Sequence, residues 1–187
     1  MNLSLPASLG FIYLISEVLL SVSRRARRGT TAGDANSFRL LWIAIALSIW
    51  AGLQTRAFWP GAMIANVILC ERAGLILFVV GLILRWCSIV QLGRFFTVDV
   101  AIALDHQLIE SGPYRFVRHP SYTGALLAFL GFGLTLRNWA TLLVLMIPIA
   151  LAFSYRIKVE ERALRAALGE RYVAYSRRTK RLLPFIY

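Results

Sequence analysis

The sequence predicts an all-α integral membrane protein with five transmembrane helices, the last two a helical hairpin, and an amphipathic C-terminal helix. Three observations carry that prediction. First, 58% of the 187 residues are hydrophobic and only 16% are charged, which is more apolar than a soluble domain. Second, the apolar residues gather in blocks of about 20, the length of helix that crosses a bilayer core. Third, the 21 Lys and Arg behind the formal charge of +12 sit mostly at the ends of those blocks. A nucleic-acid partner would need a basic face interleaved with stacking aromatics, so the charge reads as a positive-inside pattern and excludes nucleic acid. Residues 1–187 form a single membrane domain, with three N-terminal spans in 1–92 and the other two, with the C-terminal helix, in 93–187.

The first span, 5–22, stops at Arg24, Arg25, Arg27 and Arg28. Those arginines belong in the cytoplasm and leave the N-terminus outside. No basic residue precedes the apolar run, so a retained helix is expected in place of a cleaved signal. A polar loop, 29–37, leads to the second span, 38–55, and the connection 56–66 carries Trp59-Pro60-Gly61, a turn with an aromatic suited to the outer interface. The third span, 73–92, returns inward. Residues 122–155 are too long an apolar run for one crossing, and Arg137-Asn138-Trp139 splits them into spans four and five, a tight hairpin with its tip outside. Beyond Arg156, Leu164, Leu168, Tyr172 and Tyr175 form one apolar stripe on a basic helix, bent at Gly169 and ended by Pro184. Such a helix lies along the inner membrane surface or folds over the domain, with the C-terminus cytoplasmic. Chain size and composition point to a prokaryotic inner membrane. Cys70 and Cys87 lack metal-ligand spacing, so no metal is expected. The absence of alternating strand and helix patterns argues against a soluble nucleotide-binding fold.

Between these spans, the stretch from His106 to Gly124, HQLIESGPYRFVRHPSYTG, is denser in functional residue types than a connection requires. Ser111-Gly112-Pro113 is a turn. Pro120 suits a first helical turn, where its missing N–H costs nothing, and it pushes His119 toward extended geometry. The backbone N–H groups of Ser121, Tyr122 and Thr123 are then expected to face the cytoplasmic interface, where they can hold an anion such as the carboxylate of an amino-acid-like cofactor. His106 and His119 flank that position, and Tyr114 and Tyr122 offer ring surface and hydroxyls. The same residues suit interface anchors beside a proline-capped helix start, and the pattern by itself leaves both readings open.

Arg156 and Glu160 share one helix face at the inner end of span five. The hairpin can return that face over the start of span four, supplying a cation for an anionic acceptor and a carboxylate for a cofactor's hydroxyls or amine. A routine intrahelical salt bridge explains such a pair equally simply. Glu161 is expected to meet Arg165 in solvent. Within the spans, Glu17 and Arg85 lie at matching depths and are expected to pair, or Arg85 to line a cavity; snorkelling of Arg85 to the interface is the other option. Gly74, Gly81, Gly124, Ala128 and Gly131 fall at helical spacings that allow close packing.

Taken in order, H-Q-L-I, G-P-Y-R, R-H-P-S-Y-T-G, R-x-x-x-E-E-x-x-L and E-R-Y-x-x-Y before L-P-F, over residues 93–185, resemble the isoprenylcysteine carboxyl methyltransferase family, itself similar to membrane phospholipid N-methyltransferases. The resemblance implies a polytopic membrane enzyme that binds S-adenosylmethionine in a cytoplasmic cofactor-binding loop. Its acceptor would be a lipophilic small molecule or prenylated substrate from the bilayer, and 93–187 would be the cofactor-binding catalytic region. Carried over position by position, His106, Leu108, Ile109, Tyr114, His119, Pro120, Ser121, Tyr122 and Glu160 match cofactor contacts. Arg156 matches a substrate-binding arginine, and Arg156 and His119 are the expected catalytic residues. Asp99 stands where eukaryotic members carry a polar amide. The expected reaction is O-methylation of an isoprenylcysteine-like carboxylate, which is ionised at neutral pH and needs only a cation to place it. The alternatives are a phospholipid or small-molecule N- or S-methyltransferase, for which His106 or His119 would serve as base, an NADPH-dependent enzyme similar to sterol reductases, and a non-catalytic scaffold whose basic tail holds anionic membrane lipids.

Overall fold

The structure, a computed structural model, describes residues 4–23, 35–96 and 108–184. Its helices are α1 (Leu5–Ser23), α2 (Ala35–Phe58), α3 (Val67–Leu92), α4 (Pro120–Thr135), α5 (Trp139–Leu168) and α6 (Glu170–Arg178), with 3₁₀ turns at Pro60–Ala62, Gly93–Phe95 and Gly112–Arg115. Three of them, α2, α3 and α5, are long and apolar enough to cross a membrane, and α1 carries a shorter apolar run, Leu5–Leu20. With 16 residues, α4 is about 24 Å long, short of a bilayer core of about 30 Å. The third helix begins earlier than the predicted residue 73 because the Asn66 side chain accepts from the Leu69 N–H and starts it at Val67. The hairpin forms at the predicted break. Arg137 turns left-handed at φ 56°, and Asn138 caps α5 by accepting from the Thr141 N–H at 2.9 Å. Asn138 also donates to the Trp59 carbonyl at 2.9 Å, tying the hairpin tip to the α2–α3 connection.

Small residues set how the helices pair. A Cβ on Gly81 would lie 2.5 Å from both the Ala128 nitrogen and the Gly124 carbonyl oxygen, so α3 and α4 meet backbone to backbone. Gly74 faces Gly131 at the other end of the same seam, which makes the pair antiparallel. Along α2 and α5, Thr141 Oγ1 donates to the Gly52 carbonyl near one end and Arg156 to Ser37 Oγ near the other. The first helix joins α4 through the Tyr13 and Phe129 rings, 4.7 Å between centroids. Leu41, Ile45, Phe78, Ala125, Ala128, Phe129, Leu145, Ile149 and Phe153 fill the centre. This antiparallel arrangement gathers Glu17, Ser37, Arg85, His119 and Arg156 at one end of the bundle.

The last spanning helix runs unbroken past Arg156 to Leu168. Gly169, at φ 55°, then turns the chain into α6. The predicted stop at Pro184 is corrected: α6 ends at Arg178, where Thr179 goes extended. The reason is a competing partner. Residues 179–182 leave the helix to lie along the loop before α4, with the Arg118 N–H donating to the Lys180 carbonyl at 2.8 Å and the His119 N–H to that of Arg181 at 3.0 Å. The tyrosines of the predicted stripe, Tyr172 and Tyr175, are buried, and Tyr175 donates to the Tyr114 carbonyl at 2.7 Å, so α6 folds over the domain.

Candidate active site

His106 and Asp99 lie outside the described residues. Leu108 and Ile109 are half-buried at the entry to the turn. Gly112 takes φ 59° there, which an L side chain resists, and the turn delivers Tyr114 to a buried position where its hydroxyl donates to the Ser88 carbonyl at 3.2 Å. Burial pushes the Tyr114 hydroxyl well above its ordinary range and that of Tyr175 up to about 12, so both remain protonated donors at neutral pH. Pro120 opens α4 as predicted, with His119 at its N-cap. The expected cradle of three free amides does not form. The Tyr122 and Thr123 N–H groups both donate to the His119 carbonyl, at 3.0 and 3.1 Å, because the first turn closes on itself.

A polar chain runs across the site from the C-terminal to the N-terminal half. Tyr122 Oη donates to Glu160 Oε2 at 2.7 Å and accepts from Arg156 Nε at 3.1 Å, and Arg156 Nη1 donates to Ser37 Oγ at 3.0 Å. The tyrosine hydroxyl thus stands between the predicted acceptor cation and the predicted cofactor carboxylate. His119 stacks on Tyr122, with ring centroids 5.6 Å apart and planes 8° off parallel. Its Nδ1 is 3.8 Å from Glu160 and its Nε2 is 3.4 Å from Glu161. The imidazole is 3% exposed, and Nε2 makes no hydrogen bond among the described residues.

Glu161 pairs with Arg165 as the sequence predicts, but not in solvent. Its side chain is 4% exposed and receives Arg118 Nε at 2.9 Å and Arg181 Nη2 at 3.0 Å, while Arg165 stands 3.9 Å away. The difference arises because residues 179–182 cover that face of α5. Arg118 extends the clamp, its Nη1 donating to the carbonyls of Ser176 and Thr179. The predicted Glu17–Arg85 pair forms, bidentate at 2.7 and 2.9 Å, and Arg85 Nη1 also reaches the Ser121 carbonyl at 3.3 Å. Sequence reasoning missed Ser37, Arg118 and Arg181. The one local signal was the Arg118-His119 doublet facing a Glu160-Glu161 doublet.

The described residues line two neighbouring clefts inside the bundle. The first, of about 530 Å³, is walled by Glu17, Phe38, Arg85, Tyr122 and Arg156 among others. The second, of about 440 Å³, is almost wholly apolar, with Phe78, Phe129 and Phe132 in its wall. Tyr13, Trp42 and Ile45 line both clefts, so a polar chamber adjoins an apolar one. His119 lines neither.

A chamber with an arginine and a buried polar chain at one end of a hydrophobic helical bundle suits a lipophilic substrate with an anionic head. The family model for isoprenylcysteine carboxyl methyltransferases matches residues 74–166, which hold most of α3, all of α4 and most of α5 with Arg156 and Glu160. The chain is similar to that family over this stretch. Among relatives, the probable protein-S-isoprenylcysteine O-methyltransferase of Oryza sativa subsp. indica is 29% identical over 173 residues, covering 91% of this chain and 90% of the relative. The cobalt-zinc-cadmium resistance protein CzcN of Cupriavidus metallidurans is 32% identical over 127 residues, covering 67% and 53%. The solved structure of a eukaryotic intramembrane Ras methyltransferase of this family superposes with a TM-score of 0.73 at 24% identity, covering 97% of this chain and 65% of that one. That likeness extends the shared fold to α1 and α2, beyond the family match.

Proposed function

We propose that this chain transfers a methyl group from S-adenosylmethionine to the carboxylate of a lipophilic, isoprenylcysteine-like acceptor held in the membrane. The observation that carries the reading is Arg156, 3% exposed and in the wall of a chamber that adjoins an apolar cleft. A buried arginine there selects an anion, and the apolar cleft accepts what that anion is attached to.

When bound, S-adenosylmethionine supplies an electrophilic methyl carbon on a sulfonium, leaving as the neutral thioether. The described residues fit such a group: Tyr114 and Tyr122 offer rings, Leu108 and Ile109 an apolar edge, and Glu160, 29% exposed, a reachable carboxylate for its hydroxyls or amine. Pro120 and Ser121 shape the turn beneath it. His119 buttresses Tyr122 by stacking, its buried ring set with Nδ1 toward Glu160 and Nε2 toward Glu161. A carboxylate acceptor needs no base, whereas an amine or thiol would, and among the described residues no histidine lines the chamber. The site aligns the reactants and excludes water, which is what displacement at a sulfonium asks of a protein.

The same reading takes the five helices α1 to α5 as five crossings of a prokaryotic inner membrane, the N-terminus outside and the site and C-terminus cytoplasmic, where the soluble donor can enter. Calorimetry on the purified protein tests the cofactor half: Glu160→Ala and His119→Ala each weaken S-adenosylmethionine binding, and undiminished binding in both overturns the assignment. Methylation of a prenylcysteine analogue, lost with Arg156→Ala, tests the acceptor half.

A further inference from the structure

The acceptor arginine does not hold itself in place. Arg156 reaches across from α5 to α2, where Nη1 is held by Ser37 Oγ at 3.0 Å and the guanidinium carbon sits 5.4 Å from the centre of the Phe38 ring. Ser37 is 1% exposed and Arg156 3%. A flexible arginine side chain gains most from a partner that fixes its plane, and a hydrogen bond at its edge together with a ring against its face fixes that plane in two directions. Both residues lie in the first turns of α2, outside the matched family region at 74–166. Phe38 and, one turn on, Trp42 also line the chamber, so the element that orients the cation forms part of the wall an acceptor meets.

We propose that Ser37 is the positioning residue for Arg156 and Phe38 its platform, so that the start of α2 sets acceptor affinity and selectivity while the loop before α4 and Glu160 serve the cofactor. The inference rests on the proposed role of Arg156. Ser37 acts through Arg156 and touches no reacting atom, so the prediction is a split. Ser37→Ala raises the acceptor KM about tenfold, the range for a lost hydrogen bond to a charged group, and leaves S-adenosylmethionine affinity unchanged. Ser37→Thr, which keeps the hydroxyl, restores most of the difference. Phe38→Leu, which keeps apolar bulk but removes the ring, raises the acceptor KM and shifts the preference among analogues of different tail length.

A double-mutant cycle separates positioning from simple damage. In an Arg156→Lys background the fork that Ser37 holds is gone, so Ser37→Ala is expected to add little to the acceptor KM. The assay is steady-state methylation of a prenylcysteine analogue in nanodiscs, with cofactor affinity measured by calorimetry on the same preparations. Additive effects of the two substitutions, or an equal loss of cofactor affinity in Ser37→Ala, overturn the inference. If Arg156→Lys itself leaves the acceptor KM unchanged, the proposed role of Arg156 fails first. An Arg156 effect without a Ser37 effect defeats the present inference alone.

Discussion

Glu161 carries the largest consequence of any single side chain outside the chamber. Its nearly buried carboxylate neutralises Arg118 and Arg181 and faces His119. Without that charge two guanidiniums lose their shared partner, and losing one member of a buried ionic cluster costs about 3 kcal/mol or more. Glu161→Gln is expected to lower the unfolding midpoint in detergent and to hasten proteolysis within 179–182. Arg165→Ala does neither, since that side chain is 53% exposed; equal shifts in the two variants would reduce Glu161 to a surface charge. The buried Glu17–Arg85 pair obeys the same rule. Glu17→Gln leaves Arg85 uncompensated beside Ser121, so Glu17→Gln with Arg85→Met together is expected to cost less, by thermal unfolding, than the two single losses summed. Much of this chemistry was legible before the fold was known. The stretch from His119 to Tyr122 announces itself by proline and turn grammar, and Arg156 and Glu160 by their spacing. Ser37 was invisible because its partner lies 119 positions away, and no local spacing records a contact of that range.

At the scale of helices, the α3–α4 seam is the element most sensitive to change. Its glycines bring two backbones together, so even one methyl group has nowhere to go: Gly81→Ala pushes a carbon against the Ala128 nitrogen and the Gly124 carbonyl. Neither atom is the end of a flexible side chain, so the helices must separate, at a cost of about 1–3 kcal/mol. The separation also shifts Arg85 relative to Ser121, and with it the start of α4. Gly81→Ala is therefore expected to lower both the unfolding midpoint and cofactor affinity. Gly61→Ala, where an added carbon meets nothing within 4 Å, is expected to lower neither. The seam was legible as glycines at helical spacing, and the helices as apolar blocks. Helix ends were legible only where a local cap exists, as at Asn138. The end of α6 was misread because a distant strap, 179–182, outcompetes the local signal at Pro184.

For the whole molecule, the antiparallel order of α1 to α5 puts every predicted catalytic and binding residue in the described region at one end, and the longest basic segment, from Arg156 onward, starts at that same end. On the proposed function, a soluble donor and a lipid-borne acceptor meet if this end faces the cytoplasm and the chamber opens within the bilayer, which makes orientation a test of that proposal. The hairpin tip and the Trp59-Pro60-Gly61 turn then lie together on the opposite side, joined by the Asn138–Trp59 hydrogen bond. That arrangement makes a two-point test. Both native cysteines, Cys70 and Cys87, are free, and their replacement by alanine gives a background in which single reporters are introduced at Gly61, in open space, and at exposed Arg177. With the protein expressed in a bacterial inner membrane, an impermeant maleimide applied to intact spheroplasts is expected to label Gly61→Cys and to reach Arg177→Cys only after permeabilisation. The reverse pattern would place the site outside, away from the cytosolic donor. Labelling of both positions from outside would mean that an even number of crossings separates them, so that one of α3, α4 and α5 is not a span and the five-crossing reading fails.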